Sequence, residues 1–119
     1  MTTDSAIISA AGLQLRTFHE EDIAVVACSG RLMAENSSHL KDHVKGMLPR
    51  EKKIVLDLIE ITRLDSAGLG TLVGLYISAK NANCELRLAN LSKPVRDLLG
   101  LSHLLSVFEA CGRSGTRHP

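Results

Sequence analysis

Two adjoining stretches constrain this chain more than any others: Ile54-Val55-Leu56-Asp57-Leu58 and Leu64-Asp65-Ser66-Ala67-Gly68-Leu69-Gly70. The first is the strongest apolar run in the sequence, and its short length fits a buried strand. Beyond the second, apolar residues at Leu69, Leu72, Val73 and Tyr76 recur at helical spacing, with Ala79 behind them. A buried strand therefore leads through a connecting loop, Ile59–Leu64, into a helix from about Ser66 to Asn81. Either Asp65 or Ser66 is the N-cap, because short oxygen side chains satisfy the free amides of a first helical turn. A helix N-terminus also favours negative charge. A phosphate on Ser66 would be tolerated by such a fold while changing its surface strongly.

The rest of the chain supplies the partners of this strand and helix. Residues 1–12 are small and polar with little periodicity, and read as a loose lead-in or an irregular edge. Leu13, Leu15 and Thr17 alternate with Gln14, Arg16 and Phe18 as an edge strand, and Ile23–Cys28 is a buried strand ended by Gly30, giving a hairpin. Asn36, Ser37 or Ser38 caps a helix with Leu40, Val44 and Met47 or Leu48 inward, stopped at Pro49. Cys84–Ala89 alternates as a strand with one wet face. Ser92 caps a third helix with Pro94 in its first turn, Val95, Leu98 and Leu99 inward, and Gly100 at its end. Leu101, Leu104 and Leu105 suggest a short turn or helix, Val107-Phe108 a last short strand, and residues 113–119 a disordered tail. Helices crossing between strands imply a sheet that is at least partly parallel.

Within the central helix, Gly70, Gly74 and Ser78 recur four apart as a stripe of small residues. Glycine costs a helix interior about 1 kcal/mol, so two on one face call for a reason. Close packing of the helix backbone against the sheet or another helix is the favoured one, and docking of a partner along the stripe is the alternative.

Composition removes several classes of function. The chain of 119 residues suits one domain with one core, placed here at 13–112. A formal net charge of +1 and only 3% aromatics argue against direct binding of nucleic acid. No stretch approaches the roughly 20 apolar residues of a membrane helix, so no membrane insertion is expected. No secretory leader is visible, and Cys28 and Cys84 lie in apolar patterns as reduced core thiols, which points to the cytoplasm. Cys111 sits near a glycine and is a candidate for exposure.

The segment Ile54–Gly70, IVLDLIEITRLDSAGLG, resembles the signature of the STAS domain (sulfate transporter and anti-sigma factor antagonist), and its D-S-[SA]-G-L-G core is most like bacterial anti-sigma factor antagonists. The likeness runs from about Ile23 to about Gly112. It implies an α/β fold with a mixed, mostly parallel sheet and helices mainly on one face. It also implies that Ser66 accepts phosphate from a serine protein kinase that is itself the anti-sigma factor, that a serine phosphatase reverses this, and that the protein is not an enzyme and needs no cofactor. The partner-binding residues carried over are Asp65, Ser66, Ala67, Gly68, Leu69 and Arg31. One departure stands out. The family commonly carries G-E-L-D where this chain has Gly30-Arg31-Leu32-Met33, so both acids near the phosphoacceptor are missing. Arg31 is thus either a determinant of partner choice or a solvated loop residue.

Rival chemistries fit less well. The glycines Gly68, Gly70 and Gly74 lack both dinucleotide spacing and a P-loop lysine. Ser66 sits on a strand-to-helix turn like a nucleophile elbow, but Leu64 replaces the required glycine and His103 is the nearest candidate base. His39 and His43 share a helix face, yet two ligands do not hold zinc, and they read as surface histidines. The alternative within the same family is a non-catalytic scaffold, or an accessory subunit of a stress-signalling or lipid-transport complex.

Overall fold

The structure is a computed structural model that describes residues 6–101. The expectations for His103, Leu104, Leu105, Val107-Phe108, Cys111 and the 113–119 tail lie outside the described residues. The elements run β1 (Ala6–Ala10), β2 (Leu13–Glu20), β3 (Ile23–Leu32), α1 (Ser37–Met47), β4 (Lys53–Leu64), α2 (Ser66–Asn81), β5 (Glu85–Ala89) and α3 (Lys93–Leu101). The sheet order is β1-β2-β3-β4-β5. Hairpin-linked strands β1, β2 and β3 pair antiparallel, and helix-linked strands β3, β4 and β5 pair parallel. That division follows from connection length, since a parallel pair needs a crossover and an antiparallel pair needs only a turn.

Alternation decides the faces. Leu13 and Leu15 of β2, Ala24, Val26 and Cys28 of β3, Ile54, Leu56 and Leu58 of β4, and Leu86 and Leu88 of β5 point to one side and are buried. There they join Leu40, Val44, Leu72, Leu75, Val95 and Leu99 from the helices in a single core. A fully buried leucine or isoleucine contributes roughly 1.5–3 kcal/mol, so the helix-covered face carries most of the stability. The opposite face is open at Gln14, Arg16 and Ile59 and only half-covered at Phe18, Val25 and Val55. Arg16 lies 4.8 Å over the Phe18 ring there, shielding some of that apolar surface.

Several expectations need correction. Of the two readings of the lead-in the edge holds for Ala6–Ala10, which pairs with β2 in register Ile8↔Leu15 as strand β1 and so makes β2 an interior strand rather than the expected edge. The strand β3 does not end at Gly30 but passes through it at φ 101 and continues to Leu32. Gly30 is required, because a Cβ there would overlap the Gly12 carbonyl. The expected loop Ile59–Leu64 is strand, for β4 runs unbroken to Leu64. Gly100 does not end α3, which continues to Leu101. The Ser92 hydroxyl is buried without a hydrogen-bond partner among the described residues, so it does not cap that helix.

Candidate functional site

The last third of β4 explains how Ser66 is positioned. Strand alternation would place residues 58, 60, 62 and 64 on one face, yet the inward residues are Leu58, Ile61 and Leu64. Two register shifts against β3 accommodate this three-residue spacing. Asp57 pairs with Ala27 but Glu60 pairs with Ser29, and Ile61 pairs with Gly30 but Arg63 with Arg31. Each shift is a bulge that adds one residue to β4 and bends it. The Thr62 hydroxyl donates to the Gly30 carbonyl at 3.1 Å across the second bulge. The strand thus delivers Leu64 into the core and leaves one residue, Asp65, between sheet and helix.

Asp65 is the N-cap of α2, extended at φ -110 and ψ -175. Its Oδ1 accepts from the Gly68 amide at 2.8 Å and its Oδ2 accepts from the Ala34 amide at 3.0 Å. One carboxylate therefore fastens the start of α2 to the β3–α1 connection. The Gly68 amide, followed by that of Ala34, holds the Asp65 carboxyl below the usual carboxylate range, so it is anionic at neutral pH. Gly68 has no room for a side chain. A Cβ there would lie inside van der Waals contact of the Leu32 carbonyl oxygen, with the Leu64 side chain also too close. The Asp65 amide donates to the same Leu32 carbonyl at 3.4 Å.

With Asp65 capping the helix, the serine is left free. Ser66 is the first residue of α2, exposed, and its hydroxyl has no hydrogen-bond partner among the described residues. Ala67 beside it is exposed too. Gly68 is buried, and Leu69 is half-buried against the core. The six expected site residues thus divide by position. Ser66, Ala67 and Arg31 face solvent, whereas Asp65, Gly68 and Leu69 fix the geometry beneath them. The Arg31 guanidinium lies against Gly12 of the β1–β2 turn and is 3.8 Å from Glu35. Arg31 and Arg63 are Cα partners on neighbouring strands, so two exposed cations stand one rung before Asp65.

Asn36 supports this end of the molecule in a way its sequence context hides. It occupies the N-cap position of α1, but its side chain makes no capping bond. Its Oδ1 accepts from the Met33 amide at 2.9 Å, and its Nδ2 donates to the Ala11 and Arg31 carbonyls at 2.8 and 2.9 Å. It is wholly buried. The hairpin turn, the β3–α1 connection and the start of α2 are therefore one linked unit. A capping pattern was the only local signal at Asn36, and it pointed to a different bond.

The small-residue stripe also departs from the favoured reading. Among the described residues nothing lies within 4 Å of a Cβ placed at Gly70 or Gly74, so neither glycine serves close packing against any of them. Both are exposed and line a groove of about 400 Å³ between α1 and α2, together with Lys41, Lys45, Ala67, Thr71, Leu75 and Ser78. Nor is His43 a surface histidine: it is half-buried, 2.7 Å from the Thr17 hydroxyl. Burial, then the nearby Arg50, pushes its pKa down. Among the described residues no group of three His, Cys, Asp or Glu side chains could hold a metal ion. The Cys28 thiol is buried and pushed up to about 12, chiefly by that burial. It is a core group rather than a nucleophile.

Known proteins share this fold. The STAS domain family matches residues 14–116. An anti-sigma F factor antagonist of Paenibacillus polymyxa is 28% identical over 97 residues, covering 80% of this chain and 83% of that protein. The crystal structure of an anti-sigma factor antagonist from Mycobacterium paratuberculosis superposes with a TM-score of 0.73 at 19% identity, over 85% of this chain and 87% of that one. The Bacillus cell fate determinant SpoIIAA in its phosphorylated form superposes with a TM-score of 0.60 at 14% identity, over 86% of each chain. The mixed five-stranded sheet, the helix-covered face and the match along most of the sequence lead to one statement of kinship: the chain belongs to the STAS domain family.

Proposed function

We propose that this protein is an anti-sigma factor antagonist switched by covalent charge at Ser66. Unphosphorylated, it binds an anti-sigma factor that is also a serine protein kinase, and so frees a sigma factor. Phosphorylation of Ser66 ends the contact, and a serine phosphatase restores it. The observation that carries this reading is the free, exposed Ser66 hydroxyl at the first position of α2, beside a carboxylate already committed to the cap.

The physical consequence of modification follows from that placement. A phosphate adds about −1.5 to −2 charge at neutral pH. The amides at the start of α2 favour an anion, so the fold accepts it. The Asp65 carboxylate next to it does not, and a partner surface built for a neutral serine would lose contact through desolvation and like-charge repulsion. Ser66, Ala67 and Arg31 form the contact surface, while Asp65, Gly68 and Leu69 shape it. The chain supplies the acceptor only; ATP and magnesium belong to the kinase, and no catalysis is assigned to this protein. Among the described residues no helix is long and apolar enough to cross a membrane. A cytoplasmic site of action is part of the same reading.

The replacement of two family acids by Arg31 and Met33 favours a second reading, a scaffold that docks without phosphorylation. Incubation with serine-kinase anti-sigma factors and ATP, followed by mass spectrometry, decides between them. Phosphate on Ser66 supports the switch. Phosphate on another residue such as Ser92, or none with every kinase tested, leaves the scaffold.

A further inference from the structure

We propose that the groove between α1 and α2 is the docking site for an acidic helix of a partner protein. Its floor is the face of α2 that carries Ala67, Gly70, Thr71, Gly74 and Ser78, with buried Leu75 beneath. Ala67 to Ser78 spans about 16 Å at 1.5 Å per residue, the length of three helical turns. With no side chain at Gly70 or Gly74 and open space above both, another helix backbone can approach closely there. The two glycines weaken α2 without serving any contact among the described residues, which points to a face shaped for something else.

Charge selects the occupant. The wall of the groove is α1, which presents Lys41 and Lys45 one turn apart into it. Among the described residues neither lysine has an anionic partner, as is also true of Lys52 and Arg63, but only Lys41 and Lys45 line the groove. Among the described residues no acid lines the groove. A helix with two carboxylates at the same one-turn spacing completes both lysines while its small or apolar face lies on the glycines. Two surface cations without stacking aromatics make a poor nucleic-acid site. The groove begins at Ala67, next to Ser66, so an occupant would sense the charge at position 66 directly. This deepens the binding role proposed above by naming the partner's chemistry.

The test needs no kinase, and so stands or falls separately from the phosphorylation switch. A phage-displayed library of single-helix peptides with randomised acidic, basic, polar and apolar positions is selected on the full chain. Winners are then titrated against Gly74→Leu, against Lys41→Glu combined with Lys45→Glu, and against Gly46→Leu. A side chain at position 74 enters open space, so that variant folds, as circular dichroism will verify. Gly46 is equally open but lies outside the groove and serves as the control. We expect peptides with paired acids one turn apart that bind both groove variants roughly tenfold or more weakly and bind Gly46→Leu unchanged. Peptides that bind the groove variants as tightly as wild type, enrichment of neutral or basic helices, or no enrichment at all would each overturn the assignment.

Discussion

Gly68 and Gly74 lie less than two turns apart on α2, yet the fold treats them oppositely. Gly68 is pressed against the Leu32 carbonyl so closely that no other residue fits, and its amide is held by Asp65. Gly74 has nothing among the described residues within 4 Å of where a side chain would begin. The first glycine joins helix to sheet and serves the fold. The second costs helix stability that no contact among the described residues offsets, which is the ground for the docking face proposed above. The difference separates α2 into a buried junction that sets geometry and an exposed face available for binding, with Ser66 where the two meet.

The largest effect should come from closing the junction. Gly68→Ala forces a Cβ into a backbone carbonyl, which cannot move aside as a flexible side chain could. We expect a loss of about 3 kcal/mol or more, at the upper end of overpacking costs, read by urea unfolding. A loss under about 1 kcal/mol would mean that the junction yields and the contrast with Gly74 is false.

Removing the carboxylate beside it comes next. Asp65→Ala takes away both the cap on Gly68 and the bond to Ala34, and should cost about 1–2 kcal/mol. Because its pKa is depressed in the fold, Asp65 contributes stability that is complete above the unfolded value. That contribution falls away as pH drops through the acid range below about 4. The wild type should therefore lose more stability than Asp65→Ala on acidification through that range.

The sign should reverse at the open face. Gly74→Ala adds a methyl group into free space and should stabilise the protein by about 0.5–1 kcal/mol, raising the thermal midpoint by a few degrees. Destabilisation would show that the groove is narrower than described here.

A smaller, pH-dependent effect separates the core from both regions. His43 is held neutral between β2 and α1 with a lowered pKa, so the unfolded chain binds its proton more readily than the fold does. Its contribution is full above the ordinary histidine value of about 6.5 and declines as pH falls below it. Thermal midpoints of the wild type should fall more than those of His43→Gln between pH 7.5 and about 5.5. Equal slopes would contradict this assignment.

Much of this architecture is legible in residue order, and the exceptions share a cause. The bounds of α2, the core faces of β2 to β5 and the strand-to-helix delivery of Ser66 follow from local periodicity. The end of β4 does not, because two bulges change its inward spacing from two residues to three and mimic a loop. Asn36 shows a cap pattern while bonding to Ala11, a residue 25 positions away. Gly70 and Gly74 look like packing glycines because spacing reports a face but not what lies across it. The choice of Asp65 over Ser66 as cap was open in the sequence and is settled by the reach of one carboxylate to Gly68 and Ala34.

In the proposed switch, the charge at position 66 controls docking without disturbing the fold. Titration of a serine-kinase anti-sigma factor with wild type, Ser66→Ala and Ser66→Asp, each verified by thermal unfolding, tests it most directly. With Asp65 as the cap, both variants should unfold within about 0.5 kcal/mol of wild type. Ser66→Ala should bind as tightly as the unmodified protein, and Ser66→Asp at least roughly tenfold more weakly, as a like-charge or unpaired contact demands. A folded Ser66→Asp that binds as tightly as wild type would rule out control of docking by charge at position 66.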